Sequence, residues 1–256
     1  MSMPNNPLDP LFLSVTPIKF PDGGHATGTL FRFEQQGEEK DYLVTNRHVF
    51  VEENDDGEEE FVSEEARIYL RDSADAPMLR ISRPLNLVED GERQWMEHSA
   101  EPQPDLAVLE LYDDLDDYIN QPIGPPNFLP DERPIKAGEE AMIVGYPVIE
   151  PNDYMPVIRS ALISSHYGGG FMGNLAFATD ANTHSGMSGS PVFTTPSIID
   201  QMGGEPVVYK QPQRYFLGIH SSTLHSNVHP IEEGPLNVNF AFYPQQIIEI
   251  VENSEE

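Results

Sequence analysis

The chain has 256 residues, enough for one large domain or for two half-domains sharing a core. Its formal net charge is −29, with lysine only at Lys19, Lys40, Lys136 and Lys210, which argues against a cationic face for nucleic acid or for an anionic membrane. Cysteine is absent, which excludes disulfides and thiol catalysis, and no apolar stretch approaches membrane-spanning length.

The opening "MSMPNNPLDPLFLSV" has no basic segment leading into a long apolar run, so no signal peptide is expected and the cytoplasm is the expected compartment. The acidity fits either a high-salt cytoplasm or a protein kept soluble by self-repulsion. Short alternating apolar runs follow, separated by Gly, Pro, Asn and Asp, and they read as strands. In the front half these are "GTLFRF", "DYLVTNRHVF", "ARIYL" and "DLAVLEL". Between them, "VEENDDGEEEFVSEE" (Val51 to Glu65) is an acidic insertion expected to be a solvated loop. "YDDLDDY", which holds Asp113 and Asp116, reads as a solvated turn. "NQPIGPPNFLPDERP" (Asn120 to Pro134) is too rich in proline for a sheet interior and reads as a connector between two halves of similar size.

The back half repeats the pattern with "EEAMIVGYPV", "PVIRSALISS", "NLAFATD", "SPVFTT", "RYFLGIHSS" and "VNFAFY". "SSHYGGGFMGN" (Ser164 to Asn174) is either a mobile loop or, as more often, a hairpin tip. Helical periodicity is clear once, in "YPQQIIEIVENSEE", where Pro244 suits the first turn and Ile247, Ile248 and Val251 form an apolar stripe. Many strands and one terminal helix predict an all-β protein, a sandwich or a pair of barrels. The expected layout is a first barrel over about 11–119, the connector over about 120–134, a second barrel over about 135–243 and a helix over about 244–253.

The segment "ANTHSGMSGSPVF" (Ala181 to Phe193) brackets Ser188 with Gly186 and Gly189. It is either a flexible polar loop or a rigid turn aiming a nucleophile. Serine attacks at neutral pH only when a base, usually an imidazole held in one tautomer by a carboxylate, takes its proton. "YLVTNRHVF" delivers His48 at a strand end, with Thr45 just before it, and "PDLAVLEL" opens an apolar strand with Asp105. Singly, His48 reads as a structural histidine and Asp105 as a turn residue. Together, in the order His, Asp, Ser with these strand contexts, they read as a triad, with Asp113 or Asp116 as substitutes for the carboxylate.

"TGTLFRF", "YLVTNRHV", "DLAVLEL", "TDANTHSGMSGSPVF" and "FLGIHSS" resemble the chymotrypsin-like serine peptidases, nearest the cysteine-free HtrA-type and glutamyl endopeptidase branches, over roughly Gly28 to Tyr243. The resemblance implies two antiparallel six-stranded β-barrels with the triad His48, Asp105 and Ser188 across their cleft. It implies an oxyanion hole made by the backbone N–H groups of Gly186 and Ser188. It also implies a serine endopeptidase acting on protein or peptide substrates, without cofactor. Met187 stands where the digestive and clotting branches carry an activating aspartate, and no "IVGG"-like start exists, so activation by that salt bridge is not expected. No interaction domain is expected to follow, and regulation by a separate protein partner is left open.

Glutamyl endopeptidases, and picornaviral cysteine proteases that prefer Gln, place a threonine five residues before the nucleophile and a histidine after Gly-Ile on a later strand. Those places hold Thr183 and His220, and the position of trypsin's pocket aspartate holds Asn182, which implies a preference for Glu or Gln before the scissile bond. If Glu is preferred, activity should fall as His220 loses its proton. The plainer alternative has His220 packed under its strand and a pocket for small or apolar residues. His220, His225 and His229 match no zinc spacing, and His25 in "GGHATGT" reads as part of the loop entering the first barrel. The rival classes are a silent binding or scaffold protein on the same barrels and a small-ester hydrolase.

Overall fold

The computed structural model describes residues 8–54, 56–72, 80–112, 115–148, 155–225 and 235–253. The front half contributes β1 (Val15–Lys19), β2 (His25–Gln35), β3 (Glu38–Thr45), β4 (Glu65–Arg71), β5 (Arg80–Asn86) and β6 (Ala107–Leu111). They form one antiparallel sheet in the order β6-β3-β2-β1-β4-β5. The back half contributes β7 (Glu140–Gly145), β8 (Val157–Leu162), β9 (Ala176–Thr179), β10 (Pro191–Thr194), β11 (Phe216–His225) and β12 (Pro235–Phe242), in the order β8-β7-β10-β11-β12-β9. Both sheets curl into half-barrels. The second closes where Ile163 pairs with Thr179 and Ser164 N–H donates to Ala178 O. The fold is all-β and chymotrypsin-like, with a single C-terminal helix, α1 (Pro244–Asn253).

Each barrel has its own core, around Ile18, Leu43, Ile68 and Trp95 in the first and Ile143, Phe177, Val192 and Leu217 in the second. A third cluster joins them. Phe216 of β11 packs edge-on against Phe31 of β2 at 5.2 Å between centroids, and against Phe193 at 5.8 Å. Aromatic pairs in these geometries add about 0.5–1.5 kcal/mol each beyond burial, so this contact fixes how the half-barrels face each other. The connector contributes Ile123 and Phe128, which bridge to Phe31 and Phe216. Helix α1 buries Ile247, Ile250 and Val251 on the same cluster, while Ile248 is only partly buried. The stripe thus follows the i, i+3, i+4 spacing from Ile247 and takes Ile250 in place of the expected Ile248.

Two sheet strands carry no clean period-2 signal in the sequence. β1 contains Pro17 and β5 contains Pro84. Pro17 has no N–H to give, and Thr16 compensates: its hydroxyl donates to Tyr69 O at 3.1 Å and accepts from Tyr69 N–H at 2.9 Å. The side chain supplies the ladder bonds that the backbone lacks there. β5 lies at a sheet edge, where proline is tolerated. The acidic insertion is more ordered than a solvated loop. Val51–Glu53 pairs with Glu59–Phe61, the glutamates face solvent, and Phe61 packs edge-on against Trp95. A further hairpin, Ser197–Met202 with Glu205–Gln213, turns on Gly203 and Gly204, both with positive φ as a two-residue hairpin turn requires. The loop from Ser164 to Asn174 ends in a tight turn in which Phe171 and Asn174 exchange both backbone bonds. Its base is tied down by Tyr167, whose hydroxyl donates to Leu217 O and whose ring packs on Phe177 and Tyr243.

Candidate active site

Three segments meet at the cleft between the barrels. His48 lies in a single 3-10 turn, Arg47–Val49, directly after β3. Asp105 precedes β6, whose Ala107 pairs with Thr45 at the end of β3, so the two residues are brought together by sheet register. Asp105 Oδ2 lies 2.7 Å from His48 Nδ1, and Oδ1 accepts the His48 backbone N–H at 2.9 Å. His48 Nε2 lies 2.9 Å from Ser188 Oγ, which comes from the second barrel.

The serine segment is built from two consecutive β-turns. Met187 N–H donates to His184 O, and Ser190 N–H donates to Met187 O, each at 3.1 Å. Gly186 and Gly189 occupy the third position of these turns with φ of +92° and +85°, the left-handed region that a side chain disfavours. A Cβ at Gly186 would strike Tyr146 O and approach His25 Nε2 to 2.8 Å, and one at Gly189 would strike Thr27 O and Thr45 Oγ1. The spacing Gly-Met-Ser-Gly is therefore the period of the double turn. Ser188 is rigidly aimed.

The first barrel grips this double turn. Thr27 Oγ1 donates to Gly186 O at 2.8 Å, Thr27 N–H to Ser188 O at 3.0 Å, and Thr29 Oγ1 to Gly189 O at 2.7 Å. Gly189 N–H donates to Asn46 Oδ1 at 2.6 Å and to His220 O at 3.1 Å. Ser185 O accepts from Val148 N–H at 2.8 Å. A trans peptide carries its N–H opposite its C=O, so this bond turns the Gly186 N–H the other way. Among the described residues neither Gly186 N–H nor Ser188 N–H has an acceptor.

The electrostatics couple Asp105 to His48. Burial pushes the Asp105 carboxyl up, but bonds from the His48 ring, the Ser221 hydroxyl (2.5 Å to Oδ2) and the His48 backbone hold it below the ordinary carboxylate value. Burial lowers His48, and the Asp105 carboxylate more than offsets it, leaving the imidazole above its ordinary value. His220 is fully buried on β11, with Nδ1 lacking any partner among the described residues. Burial first, and then the charge of His48, push it down to about 3.

Thr183 is half-buried and donates through Oγ1 to Asn239 Oδ1 at 3.3 Å, while Asn182 is exposed. Asn239 in turn donates to Ala181 O at 2.8 Å. Asp116 is engaged by Arg32 Nη1 at 2.7 Å, and Asp113 lies outside the described residues. His25 borders the serine turn, its Nε2 3.1 Å from Tyr146 O. His229 and the side chain of His225 lie outside the described residues, and among the described ones no cluster of three or more His, Asp or Glu could hold a metal.

Sequence reasoning did not single out Ser221, Asn46, Thr27 or Thr29. Ser221 adjoins His220 in "GIHSS" and Asn46 lies two residues before His48, so proximity to the motifs was the available signal. Their side-chain partners are 59 to 160 positions away, beyond any local pattern.

Among curated proteins none matches the sequence. Among solved structures, Deg5 aligns at 20% identity over 93% of this chain and 86% of its own, with a TM-score of 0.51. The MamO protease domain from Magnetospirillum magneticum aligns at 13% identity over 93% of this chain and 95% of its own, with a TM-score of 0.52. These likenesses concern the fold. The trypsin-like peptidase domain model matches residues 26–196, a stretch that holds His48, Asp105 and Ser188. The chain therefore belongs to the trypsin-like peptidase family and is a serine endopeptidase.

Proposed function

We propose that this peptidase cleaves peptide bonds through an acyl-enzyme in which Ser188 is the nucleophile, His48 the general base and acid, and Asp105 the orienting carboxylate. The observation that carries this reading is the unbroken chain Ser188 Oγ, His48 Nε2, His48 Nδ1, Asp105 Oδ2, with steps of 2.9 and 2.7 Å. With the ring proton on Nδ1 and donated to Asp105, Nε2 is free to take the Ser188 proton as Oγ attacks the scissile carbonyl. The imidazolium that results faces a carboxylate held ionised by three donors. The carbonyl oxygen, now negative, enters the space before Gly186 N–H and Ser188 N–H. One such donor contributes about 2.7–4 kcal/mol to the transition state. His48 then gives its proton to the leaving amine, and water repeats the sequence to release the acyl group. Labelling with a fluorophosphonate tests the reading: wild type should label and Ser188→Ala should not. Absence of labelling in the wild type would favour a silent scaffold. Turnover of small esters without peptides would favour an esterase.

The specificity follows from Thr183 and His220. The Thr183 hydroxyl proton goes to Asn239, which leaves its oxygen lone pairs for a substrate N–H. His220 is held neutral by burial, and its partnerless Nδ1 favours the ring proton on Nε2. One acceptor and one donor suit the carboxamide of Gln, which offers both, better than the carboxylate of Glu, which only accepts. Leaving such groups unpaired penalises apolar side chains strongly. A peptide-library profile should be dominated by Gln before the cleaved bond and should lose that preference in His220→Ala. A profile dominated by Arg, Lys or aromatic residues would end the specificity reading and leave the acyl-enzyme intact.

A further inference from the structure

Asn46 takes no part in the proton transfers above, yet its fully buried carboxamide lies among the residues that do. Nδ2 donates to the backbone carbonyl of Asp105 at 2.8 Å, and Oδ1 accepts the backbone N–H of Gly189 at 2.6 Å. Asn46 stands two residues before His48, Asp105 is the orienting carboxylate, and Gly189 directly follows Ser188. One side chain thus meets all three catalytic segments. Thr27 and Thr29 also clamp the serine turn, but neither reaches Asp105.

We propose that Asn46 is a positioning residue that fixes the Asp105 segment relative to the serine turn, so that His48 meets both partners at bonding distance at once. The proposal rests on the acyl-enzyme reading. The chemistry of the site selects a carboxamide. One end must donate to a carbonyl and the other must accept from an N–H, at the reach of a two-carbon side chain. Aspartate has the same shape but would set an oxygen against the Asp105 carbonyl. Alanine would leave that carbonyl without its donor, while Gly189 N–H would keep only the longer bond to His220 O, 3.1 Å. Losing this cross-brace frees the two halves of the triad to drift, and misplacement by about 1 Å costs about 10²-fold in rate.

The test uses the full chain carrying Asn46→Ala and Asn46→Asp, each normalised to folded protein by its thermal transition. The kcat on a peptide substrate should fall about 10- to 100-fold, with KM within about twofold, and the fluorophosphonate labelling rate should fall in parallel. The decisive arm places the same substitutions on His48→Ala. With the imidazole gone there is no triad geometry left to hold, so the residual rate should change by less than about twofold. A loss that adds in full on His48→Ala, or a kcat per folded molecule equal to wild type, would overturn the proposal and leave Asn46 as a packing residue. If Asn46→Ala does not fold, Asn46→Asp carries the same comparison with its shape preserved. Failure of wild type itself to label would instead remove the acyl-enzyme reading, and this proposal with it.

Discussion

His220 should make the fold acid-sensitive in a way that can be isolated. Its imidazole is buried, has no partner at Nδ1, and is pushed down to about 3, against 6.5 for an ordinary histidine. Between those values the unfolded chain binds a proton that the native chain refuses, so stability falls as pH is lowered, by about 1.36 kcal/mol per unit. From pH 7 to pH 5 the unfolded state gains about 2 kcal/mol from this residue alone, roughly a thirtyfold shift in the folding equilibrium. Other groups also respond. His48 is raised, so it contributes in the opposite sense, with its stabilisation present at low pH and lost as pH rises through its folded value. Asp105 is lowered from 3.8, so its share is lost only further into acid. Partial neutralisation of a chain at −29 relieves self-repulsion. All of these persist in His220→Gln, which cannot titrate at this position. Urea unfolding of both proteins at pH 7 and pH 5 should show wild type losing about 2 kcal/mol more than the variant. Equal losses, within about 0.5 kcal/mol, would mean that native His220 takes up its proton freely, and would also undo the neutral-imidazole argument for Gln over Glu.

Other consequences follow from the same geometry. Ser188→Ala, His48→Ala and Asp105→Asn should each fold and lose about 10⁴–10⁶ in turnover, and near-normal kcat in Asp105→Asn would show the wrong carboxylate was chosen. Because His48 is raised above 6.5, kcat/KM should fall in acid with a midpoint above that value, and a midpoint below it would contradict the Asp105 pairing. Gly186→Ala must hold φ near +92° against Tyr146 O and the His25 ring, so kcat should drop about 10²–10³-fold, and an unchanged kcat would place the oxyanion elsewhere. The thermal midpoint should rise with added salt until charges are screened, over a Debye length of about 10 Å at 0.1 M, and a flat or falling response would show that net charge does not limit stability.

The sequence by itself determined the fold class and the identity of the candidate triad. Strand alternation is a local property, and the constellation of His48, Asp105 and Ser188 sits in short motifs whose flanking residues obey local rules: an apolar strand after Asp105, a glycine on either side of the serine. The terminal helix was legible for the same reason, apart from its exact stripe, which depends on the direction from which the core arrives. β1 and β5 were not legible, because proline erases the local signal and the compensation for Pro17 comes from pairing Thr16 with Tyr69, 53 positions away. Only the tertiary structure decided what holds the triad together. The carboxamide of Asn46, the hydroxyls of Thr27, Thr29 and Ser221 and the peptide of Val148 act on partners 37 to 160 residues distant, and no period or spacing encodes such contacts. It also decided the state of His220. A motif can place an imidazole on a strand, but its charge is set by how much of the folded chain closes over it.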